Sequence, residues 1–196
     1  QLLQGAGFTK SAGTWVQPDG SPLQIAVQVG QGDPVGPVLV QQLKSAGFDA
    51  IVNVQQVTAQ TEALSTGNFG LSVYPHCGSL YDPWQTLEHF HSKYAAPEGQ
   101  AATNLRAVTR YGNPDLDALL DKMEASQPSP DSPEYTELVE QATAIFIRDL
   151  PEIPLFEEIQ TQPFNTTYWT GYPSFENPYV AQPLPWEGFA LVIHRL

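Results

Sequence analysis

The stretch from Leu23 to Val57, LQIAVQVGQGDPVGPVLVQQLKSAGFDAIVNVQQV, decides the fold class. Leu23, Ile25, Val27 and Val29 alternate with polar or small residues, the two-residue period of a strand that buries one face. After Pro34 the period changes. Val35, Val38, Leu39 and Leu43 recur at helical spacing until Gly47 stops the run, and DAIVNVQQV then returns to a strand pattern. Strand, helix and strand within about 35 residues make a crossover unit, which predicts a right-handed connection between two parallel strands. The chain is therefore expected to be an α/β protein.

Reading outward, QLLQGAGF at the start has the Leu2, Leu3 and Ala6 pattern and the glycines of a helix end, so further residues are expected before Gln1. Thr14 to Val16 and Leu23 to Val29 flank QPDGSP, whose Pro18, Asp19 and Gly20 predict a hairpin turn. Beyond the crossover unit the pattern predicts a short helix over 59–64, a strand over 71–74, a helix from Pro83, and a loop from Ser92 to Thr109. Two stronger helices follow. One has Asn113 as cap, Pro114 in the first turn, and a stripe of Leu116, Leu119, Leu120 and Met123. The other reads as capped by Asp131 with Glu134, buries Leu138, Val139, Ala142, Ile145 and Phe146, and ends at Pro151. EIPLFEEI (152–159) and FALVI (189–193) read as strands.

Charge and composition narrow the function. Eight Lys and Arg against 21 Asp and Glu give a net charge of −13, which disfavours nucleic acid and anionic lipid as partners. The single cysteine, Cys77, rules out an internal disulfide and multi-cysteine zinc modules. No apolar run approaches the roughly 18–20 residues that span a bilayer.

Candidate chemistry is sparse. His76, Cys77, His89 and His91 lack the spacing of a zinc module, and nothing around Cys77 resembles a protease nucleophile, so no metal, cofactor or catalytic residue is expected. Glu157 and Glu158 on a strand would point to opposite faces and could not act as an acid and base pair. GQGDPVG at 30–36 lacks the spacing of a phosphate-binding loop. What stands out is aromatic. Tyr74, Tyr81, Trp84, Tyr94, Tyr111, Tyr168, Trp169, Tyr172, Tyr179 and Trp186 fall mostly at loops and element ends, where flat faces with polar handles suit a recognition cleft or plug a loop-rich core.

RYGNPDLDALLDKM (110–123), YTELVEQATAIFIRDLPEIPLF (135–156) and YWTGYPSFENPYV (168–180) together resemble the extracellular solute-binding proteins of peptide, nickel and oligosaccharide ABC importers, known as family 5. GAGFTKSAGTWVQPDGSPLQIAV near the start is similar as well, so the likeness runs along nearly the whole chain. It implies a periplasmic-binding-protein-like lobe of type II, a mixed sheet flanked by helices. Residues 1–184 would form most of the second lobe of a longer, two-lobed protein, and 185–196 a tail returning to the first. It further implies a monomer, exported to the periplasm or the outer face of the membrane and lipid-anchored, that passes its ligand to an ABC permease.

Within LSVYPHCGSLYDPW (71–84), many peptide binders of the family carry a Trp and then an Asp that pairs with the peptide amine. Here His76 and Ser79 stand at those positions, while Asp82-Pro83 is kept. A buried ammonium without a carboxylate is costly, so the usual grip on a peptide is incomplete unless another acid serves. GSLYDPWQTLEHFHSKY (78–94) also resembles oligosaccharide-binding members. Short peptide is the first expectation for ligand and oligosaccharide the second, with Tyr74, His76, Tyr81, Trp84, Asn104, Trp169 and Tyr172 as contacts. Two rival readings are a carbohydrate hydrolase using Asp82 with a distant Glu, and a protein-interaction module presenting its aromatic and FALVI surfaces.

Overall fold

In the computed structural model of the protein, residues 1–75, 82–102, 106–126, 132–156, 163–180 and 192 are described. The chain divides into two compact units, 1–153 and 154–196.

The first unit is built on one strand. β3 (Gln24–Gly30) pairs in parallel with β4 (Asp49–Gln55) on one side and β5 (Leu71–Ser72) on the other. The helix α2 (Val35–Ser45) makes the crossover between β3 and β4, and α3 (Val57–Thr66) leads from β4 to β5. Val27, Val29, Ala50 and Val40 form the buried centre between the sheet and α2, joined by Ile25, Leu39, Leu43, Val52, Leu71 and Val73. Gly36 makes this close approach workable: a Cβ there would lie 2.7 Å from Val29 Cγ1. The helix α3 serves the opposite face. Its Gln60 reaches Ser72, which shares a register position with Gln28 rather than with Val27.

The α/β class expected from the crossover unit is what the structure shows. The three described strands of the sheet are all parallel; among the described residues antiparallel pairing occurs in a separate hairpin and at one isolated bridge. That hairpin is not the one expected. β2 (Thr14–Val16) pairs with β1 (Thr9–Ser11), whereas its link to the segment before β3 is a single bridge from Val16 to Pro22. The turn between β1 and β2 is Ala12-Gly13, both at positive φ, which matches the right-handed twist of a two-residue hairpin. QPDGSP does form a turn, with Gly20 donating to Gln17 O, but β3 has its partners in the parallel sheet.

The second half of this unit is helical. α4 (Pro83–Leu87) runs into a 3₁₀ turn at Glu88–Phe90 and a second at Ser92–Tyr94, inside the stretch expected to be loop. α5 (Pro114–Ser126) starts as expected: Asn113 Oδ1 accepts from the backbone N–H groups of Asp115 and Leu116. α6 (Pro133–Asp149) is capped by Ser132, whose hydroxyl accepts from Tyr135 N; Asp131 lies outside the described residues, so the cap is one residue later than expected. Leu87, Phe90, Leu116, Leu119, Leu120, Met123, Tyr135 and Ala142 form the core between these helices. Each fully buried leucine here contributes about 1.5–3 kcal/mol.

Polar ties hold the loops to this core. Buried Glu88 accepts both guanidinium nitrogens of Arg106, at 2.8 and 3.1 Å, and the Tyr94 hydroxyl at 3.2 Å. The Arg110 guanidinium donates to the carbonyls of Leu64 and Ser65 in the last turn of α3 and to those of Gln100 and Val108. It thus satisfies carbonyls that a helix end leaves open.

The strand expected over 152–159 is absent from its described part. Residues 152–156 are irregular, because Pro151 and Pro154 lack the N–H a ladder needs and no described strand lies beside them; 157–159 lie outside the described residues. Of FALVI only Val192 is described, and it is helical and buried. In the second unit, Phe164 stacks on Tyr172 with centroids 4.4 Å apart, and the Tyr179 hydroxyl donates to Gly171 O.

At the end of α6, Asp149 accepts from Tyr111 Oη, Asn113 Nδ2 and Arg148, joining that end to the start of α5. The Arg148 guanidinium first, then Tyr111 and Asn113, hold its carboxyl well below the usual carboxylate range. A depressed folded pKa gives stability that is present above the unfolded value of about 3.9 and is lost as pH falls towards the folded one. The stability gap between wild type and Asp149→Asn should therefore be largest near neutrality and narrow as pH drops from about 4 to about 2 in urea melts. A gap independent of pH would show that Asp149 is not held this way.

Candidate functional site

Parallel pairing puts the C-terminal ends of β3, β4 and β5 on one edge of the sheet. The chain leaves β3 towards β4 on one side, and the next strand, β5, lies on the other side of β3. The order reverses between β3 and β5, and in open parallel sheets the crevice at such a point is where ligands bind.

Three segments line this edge: Gly30 to Asp33 after β3, Gln55 and Gln56 after β4, and Val73 to Pro75 after β5. Asp33 Oδ1 accepts from Val35 N at 2.7 Å and so fixes the entry to α2. Val73 N donates to Gln28 O, extending the β3–β5 pairing by one bond. Gln60 fastens the crevice from above. Its Nε2 donates to Val73 O at 2.7 Å, and its Oε1 would sit 2.9 Å from a Cβ placed on Gly30, so glycine leaves room for that amide between the two strand ends.

Tyr74 projects from this edge. Its hydroxyl donates to Glu152 Oε1 in the segment after α6. Burial first, and then Glu152, push the Tyr74 phenol well above its usual range, so at any physiological pH it is a neutral donor. Of the expected contacts, Tyr74 is the one that the described structure sets at the sheet edge.

The other expected contacts fall elsewhere. His76, Tyr81 and Asn104 lie outside the described residues. Trp84 is half-buried against the helical core and its indole N–H donates to Leu120 O at 3.2 Å. Trp169 and Tyr172 belong to the second unit, where Trp169 is 57% exposed and Tyr168 is 87% exposed. Glu152 was not among the expected contacts. The signal for it was present only as an acidic residue between Pro151 and Ile153, and its meeting with Tyr74, 78 residues away, is a tertiary fact.

Asp82, the acid of the hydrolase reading, has a structural task. Its carboxylate accepts from Trp84 N at 3.0 Å, capping α4, and from the Tyr135 hydroxyl. Burial first, and then Asp82, push the Tyr135 phenol up to about 12. Buried His91 lies between Asp117 and Asp121, at 3.2 and 3.1 Å, and its Nδ1 accepts from Lys93 N. Among the described residues no cluster of three or more His, Cys, Asp and Glu is arranged to hold a metal.

These features define an α/β unit with a crevice at the C-terminal edge of its parallel sheet. No protein-family model and no curated protein sequence matches the chain. Solved structures do. The periplasmic oligopeptide-binding protein of a Thermotoga maritima oligopeptide ABC transporter, bound to mannohexaose, matches with a TM-score of 0.74 at 22% identity, over 96% of this chain and 35% of that one. The Helicobacter pylori binding protein DppA, in complex with the peptide STSA, matches at 0.57 and 19% identity over 76% of this chain and 26% of its own. The Bacillus subtilis oligopeptide-binding protein AppA, in complex with a nonapeptide, matches at 0.53 and 19% identity, covering 76% and 29%. The chain thus spans about a third or less of each of these three proteins and has the fold of the corresponding part. The fold implied by the sequence resemblance is the fold these solved structures share with the chain.

The position of Trp84 yields a direct expectation. Trp84→Ala should destabilise the protein by about 3 kcal/mol, because it empties a partly buried aromatic site and removes the indole hydrogen bond to Leu120 O. Chemical unfolding measures it; an unchanged midpoint would remove Trp84 from the helical core.

Proposed function

We propose that this chain is the greater part of the second lobe of a solute-binding protein that captures a short peptide outside the cytoplasmic membrane and delivers it to an ABC permease. Residues 1–184 make the lobe and 185–196 return to the first lobe. The observation that carries the reading is the edge between β3 and β5, with Gln60 and Tyr74 at its mouth, in a fold shared with proteins that bind oligopeptides. Capture then needs no chemistry. A ligand that touches both lobes favours the closed form by its differential affinity, and the permease responds to that form.

The proposed contacts are Tyr74, His76, Tyr81, Asn104, Trp169 and Tyr172, with Trp84 supplying whatever part of its ring the helical core leaves open. The solved relatives bound to peptides support the peptide reading. Oligosaccharide is the second reading, and two observations favour it: the Thermotoga maritima match holds mannohexaose, and Tyr168 and Trp169 present exposed aromatic faces of the kind sugars stack on.

Thermal unfolding of the full-length protein against trialanine, tetra-alanine and mannohexaose separates them. At a hundredfold excess over the dissociation constant a ligand adds about 2.7 kcal/mol, a rise in midpoint of roughly a few °C for a protein of full length. A rise with the peptides is expected. A rise with mannohexaose alone would install the second reading, and no rise with any of them would remove the capture role for these ligands.

A further inference from the structure

β4 ends the sheet on one side, and among the described residues no strand lies beside its outer edge. Soluble proteins guard such an edge with lysine, proline, a bulge or a covering segment. β4 has none of these. Its seven residues, DAIVNVQ, contain one charge, Asp49, and no proline. The register with β3 runs unbroken from the Gln24 and Asp49 pair to the Gly30 and Gln55 pair, so no bulge turns the edge away. Ile51 on one face and Val54 on the other are 41% and 59% exposed, so neither face is covered there. Beside the edge runs a groove of about 540 Å³ between β4 and α2, lined by Val52 and by Pro37, Val40, Gln41, Lys44 and Ser45.

We infer that the outer edge of β4 is a self-association surface, at which two copies of the chain join antiparallel into one continuous sheet. A two-fold axis at Val52 sets Val52 of one copy against Val52 of the other, Ala50 against Val54, Ile51 against Asn53, and Asp49 against Gln55. Residues directly opposite share a face, so Ala50, Val52 and Val54 of both copies make one apolar row on the α2 side. Charge fits as well. The two Asp49 carboxylates fall at opposite ends of the joint, about 20 Å apart at roughly 3.4 Å per residue. Each lies beside Gln55 of the other copy, two residues before α3. That helix starts with no side-chain cap and no acidic residue in its first turn, so Asp49 of the other copy supplies the negative charge that its positive end lacks. Gln24 Nε2 donates to Asp49 Oδ2 at 3.1 Å, while Oδ1 accepts no bond among the described residues. This pairing departs from the monomer that the sequence resemblance implies. It leaves the crevice open, because β5 lies on the other side of β3 from this edge.

Sedimentation velocity of the full-length protein from about 1 to about 100 µM tests it, with hydrogen exchange at both ends of that range. The expected result is a rise from monomer to dimer mass, with several-fold slower exchange at 49–55 in the concentrated sample. Ile51→Lys together with Val54→Lys puts guarding charges on both faces of the edge and should weaken the dimer by about tenfold or more. Val54→Thr, uncharged and β-branched, should leave it within about twofold. Should the double variant lose its circular dichroism signal, Val54→Lys alone decides, at the more exposed of the two sites. A monomer at every concentration overturns the self-pairing and leaves the edge to a strand of a different protein. A dimer that survives the lysines, or whose protection falls outside 49–55, has its interface elsewhere and overturns the inference too.

Discussion

The structure depends on β3 being paired in parallel on both of its edges. Parallel neighbours cannot be joined by a tight turn, so each needs a crossover, and the crossovers supply α2 and α3 to the two faces of the sheet. That arrangement buries Val27 and Val29 completely and gathers three strand ends on one edge. Once the order reverses about β3, the crevice follows from topology. Residues with no special chemistry, Gly30, Gln60 and Val73, then define its shape by backbone placement and one amide.

The helical half of the unit fixes its own loops and the end of α3 through polar contacts. Asp82 ties the start of α4 to α6 through Tyr135, Glu88 locks Arg106 and Tyr94, and Arg110 holds the end of α3. Gly67 belongs to the same device. It ends α3 at positive φ, and a Cβ there would fall 2.6 Å from Arg110 Nε, so the arginine can cover the helix end only because the cap is glycine. Glu88, Arg106 and Arg110 thus fix segments that contain no strand and little helix.

The crossover unit was legible from the sequence because its two periods, of two residues and of nearly four, are set by strand and helix geometry and interrupted by Pro34 and Gly47. The stripe of α5 and its Asn113 cap were equally local. The hairpin was misplaced because PDG is a strong turn signal in either arrangement; the choice of β1 as partner rests on Ala12 adopting positive φ, which its residue type does not announce. EIPLF has the composition of a strand, yet Pro154 within it and Pro151 before it remove donors that a strand would use. For the site, Tyr74 was readable as an aromatic at a strand end. Trp84 carried the same signal and packs on the helical core instead, since only the tertiary structure says which side of α4 faces α5. Glu152 was illegible because its importance comes from a partner 78 residues away.

The central claim is that ligand binds where β3 and β5 part, at the C-terminal edge of the sheet. Hydrogen exchange of the full-length protein with and without a saturating ligand tests it most directly. The account predicts added protection at 30–33, 55–60 and 73–75, with 14–16 and 44–49 at the opposite end unchanged. Protection confined to that opposite end would contradict it.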